Sequence, residues 1–158
     1  HPIQRPFGVV FPELGKHPAD QYLLGESLLV APVEQAGQTR RALLRPPGAW
    51  EGWFDGVALA GAAGDTVTVE APLDGLPLYV RAGALVPMLR PTIDTLSPAT
   101  DPGVESFEND AGDLWVRVVP SEEETGFTVF DGTRLRQRQG AVLELSATSG
   151  RRFTRGVV

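Results

Sequence analysis

The clearest strand signal in this chain is Thr66-Val67-Thr68-Val69-Glu70, where polar and β-branched apolar residues alternate. The stretch Leu114-Trp115-Val116-Arg117-Val118 alternates in the same way. A period of two directs one set of side chains toward a core and the other toward solvent, which is typical of a half-buried β-strand. Both stretches therefore predict sheet structure.

Short extended candidates lie on both sides of these stretches, each bounded by Gly, Pro or Asp. The 18 Gly and 14 Pro are spread along the chain, so they mark turns between short elements. No helical crossover of roughly 10 to 15 residues separates the candidates, which favours antiparallel pairing. We predict an all-β fold: an antiparallel β-sandwich with the start of a second, smaller β-domain. The predicted strands are Leu28–Val33, Arg41–Leu44, Thr66–Glu70, Leu78–Val80, Ala84–Val86, Leu114–Val119, Phe127–Phe130 and Val142–Leu145.

Length and composition exclude several classes of function. The 158 residues, 42% of them hydrophobic, suffice for a buried core. A net charge of -6 disfavours nucleic acid as a partner, because phosphate contacts need an excess of Lys and Arg. No apolar run reaches the roughly 20 residues of a membrane span, so no membrane partner is expected. The absence of Cys excludes disulfides and thiolate chemistry but leaves the localisation unknown. The predominance of Arg over Lys is typical of GC-rich bacterial coding sequences.

The second half of the chain is divided by charge. Residues 94–131 hold ten acids against the single Arg117, and residues 134–158 hold six Arg against the single Glu144. We predict solvated neighbouring strands whose charges partly neutralise each other. A charge-steered binding face is the alternative.

Few residues offer catalytic or metal chemistry. A serine hydrolase would need Ser27 with His17 as base, but Gly25-Glu26-Ser27 lacks the second glycine of the G-x-S-x-G elbow. The acids of residues 108–113 surround a glycine as in a calcium loop, yet they lack its regular spacing, so a polar hairpin turn is favoured. No phosphate-binding glycine motif occurs. We therefore assign no catalytic residue and no metal ligand, and expect no cofactor.

The aromatic residues leave two interpretations open. Trp50, Trp53 and Phe54 form a dense cluster, and Trp115 lies in a predicted strand. Flat rings stack on sugar faces, but they also fill the core of a sandwich. Trp50, Trp53 and Trp115 are the candidate carbohydrate-stacking residues, and core packing is the alternative.

Three stretches together resemble the C-terminal region of family 31 glycoside hydrolases, the α-glucosidases and α-xylosidases. They are Asp20–Val33 (DQYLLGESLLVAPV), Pro47–Gly56 (PGAWEGWFDG) and Ala71–Met88 (APLDGLPLYVRAGALVPM), in the family's order and spacing. The last is the most specific of the three. The resemblance extends from residue 1 to about Leu89. Beyond it, 114–120 and 127–132 look like the opening strands of the family's distal β-domain.

The resemblance implies an accessory piece of a retaining α-glycosidase. In that family a (β/α)8 barrel carries the two catalytic aspartates, whose motifs have no match here. The implied organisation is a segment leaving a missing catalytic barrel (1–19), a proximal β-sandwich (20–90), a linker (91–103) and a partial distal β-domain (104–158). The implied partners are the catalytic barrel and an α-glucan or oligosaccharide.

Two other functions remain as alternatives, a carbohydrate-binding module and a small stand-alone hydrolase. Separation from a barrel would also leave apolar surface exposed, and large apolar patches promote association. Self-association is therefore expected, with Phe7, Val9, Val10 and Phe11 as the candidate surface.

Overall fold

The computed structural model describes residues 2–109, 112–138, 142–146, 153 and 155–157. Within these residues the chain is almost entirely strand, which confirms the predicted all-β class. The strands are β1 (Gln4–Pro6), β2 (Tyr22–Leu24), β3 (Leu28–Val30), β4 (Arg40–Leu44), β5 (Trp50–Gly52), β6 (Thr66–Glu70), β7 (Leu78–Arg81), β8 (Leu85–Met88), β9 (Asp113–Val118), β10 (Thr125–Thr128), β11 (Arg134–Arg138), β12 (Val142–Ser146) and β13 (Arg155–Val157). The short helix α1 (Phe7–Val10) and the 3-10 turns Pro12–Leu14 and Phe107–Asn109 complete the elements. Among the described residues, no helix has the length and apolar character needed to cross a membrane.

The chain divides into two compact units, His1–Ala82 and Gly83–Val158. We call them the first and second units. The roles predicted for 1–19, 20–90 and 104–158, and the linker at 91–103, remain predictions.

The first unit is built from two sheets. One has the strand order β1-β2-β3-β7-β5 with antiparallel neighbours, and the other is the antiparallel pair β4-β6. The core is a cluster of buried apolar side chains, against which Val67 and Val69 of β6 also pack. The alternation in Thr66–Glu70 has the predicted explanation. Its two valines face the core, and Thr66, Thr68 and Glu70 face solvent. The cluster comprises Phe7, Leu23, Leu29, Ala31, Leu43, Leu44, Trp50 and Leu59.

Two buried polar side chains connect the segment entering β2 with β4 of the other sheet. Gln21 accepts a hydrogen bond from Leu44 N (2.7 Å) and donates one to Leu44 O (2.8 Å), as a strand backbone would. Arg41 donates to Pro32 O (3.1 Å) and Asp20 O (2.9 Å), and its guanidinium lies 2.6 Å from the Asp20 carboxylate. We call these contacts the polar clamp. They leave the buried amide and guanidinium hydrogen-bonded, as buried polar groups require.

The second unit contains two three-stranded sheets, ordered β10-β11-β12 and β13-β9-β8. Its core consists of Leu85, Leu114, Val116, Val129, Leu135 and Phe153. The β13–β9 pair is parallel, which departs from the expected purely antiparallel pairing. Gln137 of β11 is fully buried; oriented to satisfy its neighbours, its amide donates to Val119 O (3.1 Å) and accepts from Ser121 N (2.7 Å).

The opposite charges of the second unit pair with each other. Arg136 lies 3.1 Å from Glu124, and Arg138 lies 3.2 Å from Glu144. All four side chains are about half exposed, so each pair contributes roughly 0 to 1 kcal/mol. The Arg136–Glu124 pair joins the basic segment to the acidic one, as predicted, whereas Arg138–Glu144 lies within the basic segment. In the segment predicted to form a polar hairpin turn, residues 108–109 belong to a 3-10 turn and Asp113 begins β9, while 110 and 111 lie outside the described residues.

Several strand predictions need correction. The sequence did not predict β1, β2 and β5, because three residues are too few to show a period, and it did not predict β13 either. Strand β11 was missed because its sequence RLRQR reads as a polar segment, although Leu135 and Gln137 are buried. The strand predicted at 127–130 lies at 125–128, since the Asp131 carboxylate accepts from Thr133 N (2.8 Å) and holds a turn there.

Replacement of Arg41 by Ala should destabilise the first unit by about 1 to 3 kcal/mol, because it removes a buried guanidinium and leaves backbone carbonyls without their donor, while its partner Asp20 is partly exposed. The adjacent Arg40→Ala is the matched control. Arg40 pairs with Glu70 at 3.0 Å, but both side chains are exposed. Its removal should change the free energy of unfolding by no more than about 0.5 kcal/mol. Urea unfolding of both variants tests this, and equal losses would contradict a structural role for the polar clamp.

Candidate functional site

Trp50, the first predicted stacking residue, lies in the core of the first unit. Its side chain is 3% exposed, and its indole N–H donates to Pro47 O at 2.8 Å. This hydrogen bond satisfies the one polar atom of the ring, so the apolar face packs in the core without an unpaired donor. The structure therefore corrects the placement of Trp50 on the surface, because a ring at this depth presents no face for a sugar.

The turn that follows β5 presents the aromatic surface of this region. Trp53 is half-buried and its backbone N–H donates to Leu78 O (2.8 Å), while Phe54 beside it is 72% exposed. The turn is closed by the Asp55 carboxylate, which accepts from Val57 N at 3.0 Å. We call residues 53–57 the aromatic turn.

Glycine at position 52 allows the aromatic turn to close. A Cβ at this position would lie 2.0 Å from Asp55 Oδ1, closer than any real contact. Gly52 also donates from its backbone N–H to Val57 O and accepts from Gly56 N. A side chain here would displace the Asp55 carboxylate from its hydrogen bond with Val57 N.

Tyr79 lies directly opposite Gly52 in the β5–β7 pair. Burial, and then the negative charge of Asp55, raise the pKa of the Tyr79 phenol above its ordinary value of 10.0. Both effects disfavour the phenolate. Tyr79 is therefore a neutral hydroxyl at physiological pH.

Trp115, the third predicted stacking residue, belongs to the second unit. It lies in β9 opposite the exposed Met88, and its ring is half-buried. The indole nitrogen is buried and has no hydrogen-bond partner among the residues that the structure describes. Trp53 and Trp115 thus belong to different units, each with part of its ring surface accessible.

Ser27 and His17 form no hydrogen bond with each other in the described part of the chain. The His17 imidazole packs against α1, where a Cβ at Gly8 would lie 2.0 Å from Nδ1. Ser27 precedes β3, and its carbonyl accepts from Arg81 N at 2.9 Å. Both residues therefore make structural contacts within the first unit. No group of three or more metal-binding side chains occurs among the described residues.

The N-terminal apolar segment is mostly part of the core. Phe7 is fully buried, and its ring lies 5.1 Å from that of Phe11. Val10 and Phe11 pack on the core cluster, whereas Val9 is largely exposed. Of the four residues expected to form a surface for self-association, Phe7 is therefore excluded. The short helix α1 directs the Phe7 ring into the core.

An apolar cleft of about 620 Å³ lies between the loops 32–39 and 72–76. Leu73, at its edge, is fully exposed, and Leu76 and Val33 are partly exposed. Sequence reasoning did not single out this surface. The available signal was Leu73 itself, which stands in the strongly family-like stretch 71–88 in a turn with no strand pattern.

Comparison with known families identifies the first unit. Residues 1–86 match the C-terminal domain of glycosyl hydrolase family 31. Because the match spans more than half of the chain, the chain belongs to this family. The predicted resemblance is confirmed.

Curated relatives agree with this assignment. The chain is 35% identical over 89 residues to α-xylosidase 1 of Arabidopsis thaliana and 36% identical over 90 residues to neutral α-glucosidase C of Homo sapiens. It is 37% identical over 68 residues to the isomaltosyltransferase of Sporosarcina globispora. These matches cover 54%, 55% and 43% of this chain but only 10%, 10% and 6% of the relatives.

Solved structures extend the similarity into the second unit. The cycloalternan-forming enzyme of Listeria monocytogenes, in complex with a pentasaccharide substrate, matches 87% of this chain with a TM-score of 0.67 and 28% identity. The family 31 α-xylosidase of Xanthomonas citri matches the same share with a TM-score of 0.64 and 28% identity. This chain covers 13% and 15% of those chains.

The raised pKa of Tyr79 predicts a loss of stability at alkaline pH. Below pH 10 the phenol is neutral in both states, so this contribution is fully present. Above pH 10 the unfolded chain ionises first, and stability falls until the folded-state pKa is passed. The Tyr79→Phe variant should lose this part of the pH dependence.

The Asp55→Asn variant should lower the pKa of Tyr79 while leaving it above 10.0, since burial, the larger cause, remains. Tyrosinate absorbance, followed in a Tyr22→Phe background so that one tyrosine titrates, measures the shift. Asn keeps an oxygen for Val57 N, so the aromatic turn stays closed. An unchanged pKa would contradict the electrostatic contact.

Proposed function

We propose that this chain is the accessory C-terminal β-sandwich portion of a retaining α-glycosidase, in which it supports the catalytic barrel and carries no catalytic residue. The match of residues 1–86 to the family 31 C-terminal domain carries this proposal. The relatives are many times longer than the matched segment, which supports a part that works within a larger enzyme.

The first unit has the properties that a supporting part needs. Its two sheets enclose one core, and the polar clamp restricts how they slide past each other. A rigid support matters because a displacement of about 1 Å at catalytic groups costs up to about 100-fold in rate. The largely apolar cleft beside Leu73 is the surface we propose to contact the barrel. Burying such a leucine contributes about 1.5 to 3 kcal/mol.

A segment exchange tests the accessory role. In the Xanthomonas citri α-xylosidase, deletion of the segment that this chain matches should abolish soluble activity, and replacement by this chain should restore measurable activity. Turnover of p-nitrophenyl α-xyloside is the measurement. The isolated 158-residue chain should hydrolyse neither this substrate nor the α-glucoside above a buffer blank. Turnover by the isolated chain, or full activity of the deletion variant, would refute the proposal.

Leu73→Ser tests the contact surface. In the isolated chain the change should alter the free energy of unfolding by no more than about 0.5 kcal/mol, because Leu73 packs against nothing there. In the exchanged enzyme it should lower stability by about 1.5 to 3 kcal/mol. The control is Leu96→Ser, also strongly exposed but in the second unit. If both variants weaken the enzyme equally, the cleft is not the contact.

A carbohydrate-binding module is the second candidate. The exposed ring of Phe54 beside the half-buried Trp53 favours it, since exposed rings stack on sugar faces. Malto-oligosaccharides should then change the tryptophan emission, and Phe54→Ala and Trp53→Phe should each remove the change. Trp115→Phe is the control from the second unit. If the emission does not change and iodide does not quench it, stacking at the aromatic turn is refuted.

A further inference from the structure

Residues 89–106 connect β8 to the 3-10 turn Phe107–Asn109 and contain no regular strand or helix. Loops of more than about 12 to 15 residues without secondary structure are uncommon, and they are usually functional or disordered. The sequence predicted a linker at 91–103. The contacts within this segment show whether it is an ordered loop or a flexible linker.

Backbone and side-chain hydrogen bonds hold the loop in one conformation. Asp94 donates from its N–H to Glu105 O (2.8 Å), and its carboxylate accepts from Glu105 N (2.9 Å). Thr95 forms an isolated bridge with Ser106 and accepts from Phe107 N at 2.9 Å. The two ends of the loop are therefore bonded to each other, as in a compact binding loop.

The loop lines an open pocket of about 390 Å³, which is within the size range of small-molecule sites. Glu105 pairs with Arg90 at 3.0 Å and also accepts from the Thr92 hydroxyl. Asn109 donates from its side chain to Ala99 O at 3.0 Å, which ties the far side of the pocket to the 3-10 turn.

The wall of the pocket offers donors and acceptors together. Ser106 is only 3% exposed; its hydroxyl oxygen accepts from Asn109 N at 3.2 Å, and its hydroxyl hydrogen is a donor. Thr100 adds a hydroxyl, and Asp101 adds a carboxylate, one oxygen of which already accepts from Gly103 N at 2.8 Å. Pro102 and Val104 add apolar surface for C–H groups.

The charges of the wall disfavour an anionic ligand. Arg90 is paired with Glu105, and Asp101 adds negative charge, so the pocket disfavours anions. A calcium ion needs about six to eight oxygens, and no group of three or more metal-binding side chains occurs among the described residues. A neutral ligand with many hydroxyl groups can meet both the donors and the acceptors of the wall.

We propose that the pocket formed by residues 90–109 of the second unit binds a neutral polyhydroxylated ligand, a mono- or disaccharide, through Thr100, Asp101, Glu105 and Ser106. This site is separate from the proposed barrel contact and does not depend on it. It also lies outside residues 1–86, the part that matches the C-terminal domain of family 31.

The test is a two-dimensional amide NMR titration of the 158-residue chain with glucose and with maltose. Chemical shifts should change in residues 90–109, with a Kd on the order of 1 mM. Thr100→Trp should raise the Kd at least about tenfold by filling the pocket. Thr100 is exposed and its hydroxyl forms no hydrogen bond in the described part of the chain, so folding should persist.

Thr128→Trp is the matched control, because Thr128 is an exposed threonine of β10 outside the pocket. It should leave the Kd unchanged, and spectra without ligand should show both variants folded. The proposal is overturned if neither sugar shifts any resonance of the loop, or if Thr100→Trp binds as well as the unmodified chain. It is also overturned if calcium chloride shifts the loop and the sugars do not. Shifts confined to residues 53–57 would support the aromatic turn and refute this pocket.

Discussion

The sandwich of the first unit depends on a polar contact that passes between its sheets. Gln21 and Arg41 are both buried, and their hydrogen bonds reach backbone groups of segments far apart in sequence. An apolar interface alone resists sliding weakly, because the burial of apolar area is not directional. Directed hydrogen bonds fix the position of one sheet relative to the other, because a shifted sheet would leave a buried guanidinium and amide unpaired.

This arrangement explains why the unit can expose large apolar side chains such as Leu73 and Phe54. The core is complete without Leu73 and Phe54, which extend from loops that close by their own hydrogen bonds. Both side chains are thus available for contacts outside the unit at little cost to its stability. An accessory part of a larger enzyme needs a core that is stable by itself and a separate surface that can contact the rest of the enzyme.

In the second unit, too, polar side chains hold segments in place by hydrogen bonds to the backbone. Gln137 substitutes for a strand partner toward Val119 and Ser121, and Asp131 holds the turn that precedes β11. Residues 91–103, with their proline and polar residues, were predicted to be a linker because they show little hydrophobic periodicity. Their order comes from hydrogen bonds between residues ten or more positions apart, which no local pattern reveals. The pocket exists for the same reason.

The sequence by itself determined the all-β class, the long alternating strands and the family, because period-two patterning and the stretches 20–33, 47–56 and 71–88 are local features. It also indicated that opposite charges of the second half would pair. Only the tertiary structure decided which aromatic rings are accessible. Trp50 and Trp53 are three positions apart, yet one fills the core and the other borders an exposed turn. Burial depends on which distant elements pack against a residue, and the same side chain suits a core and a sugar face equally well.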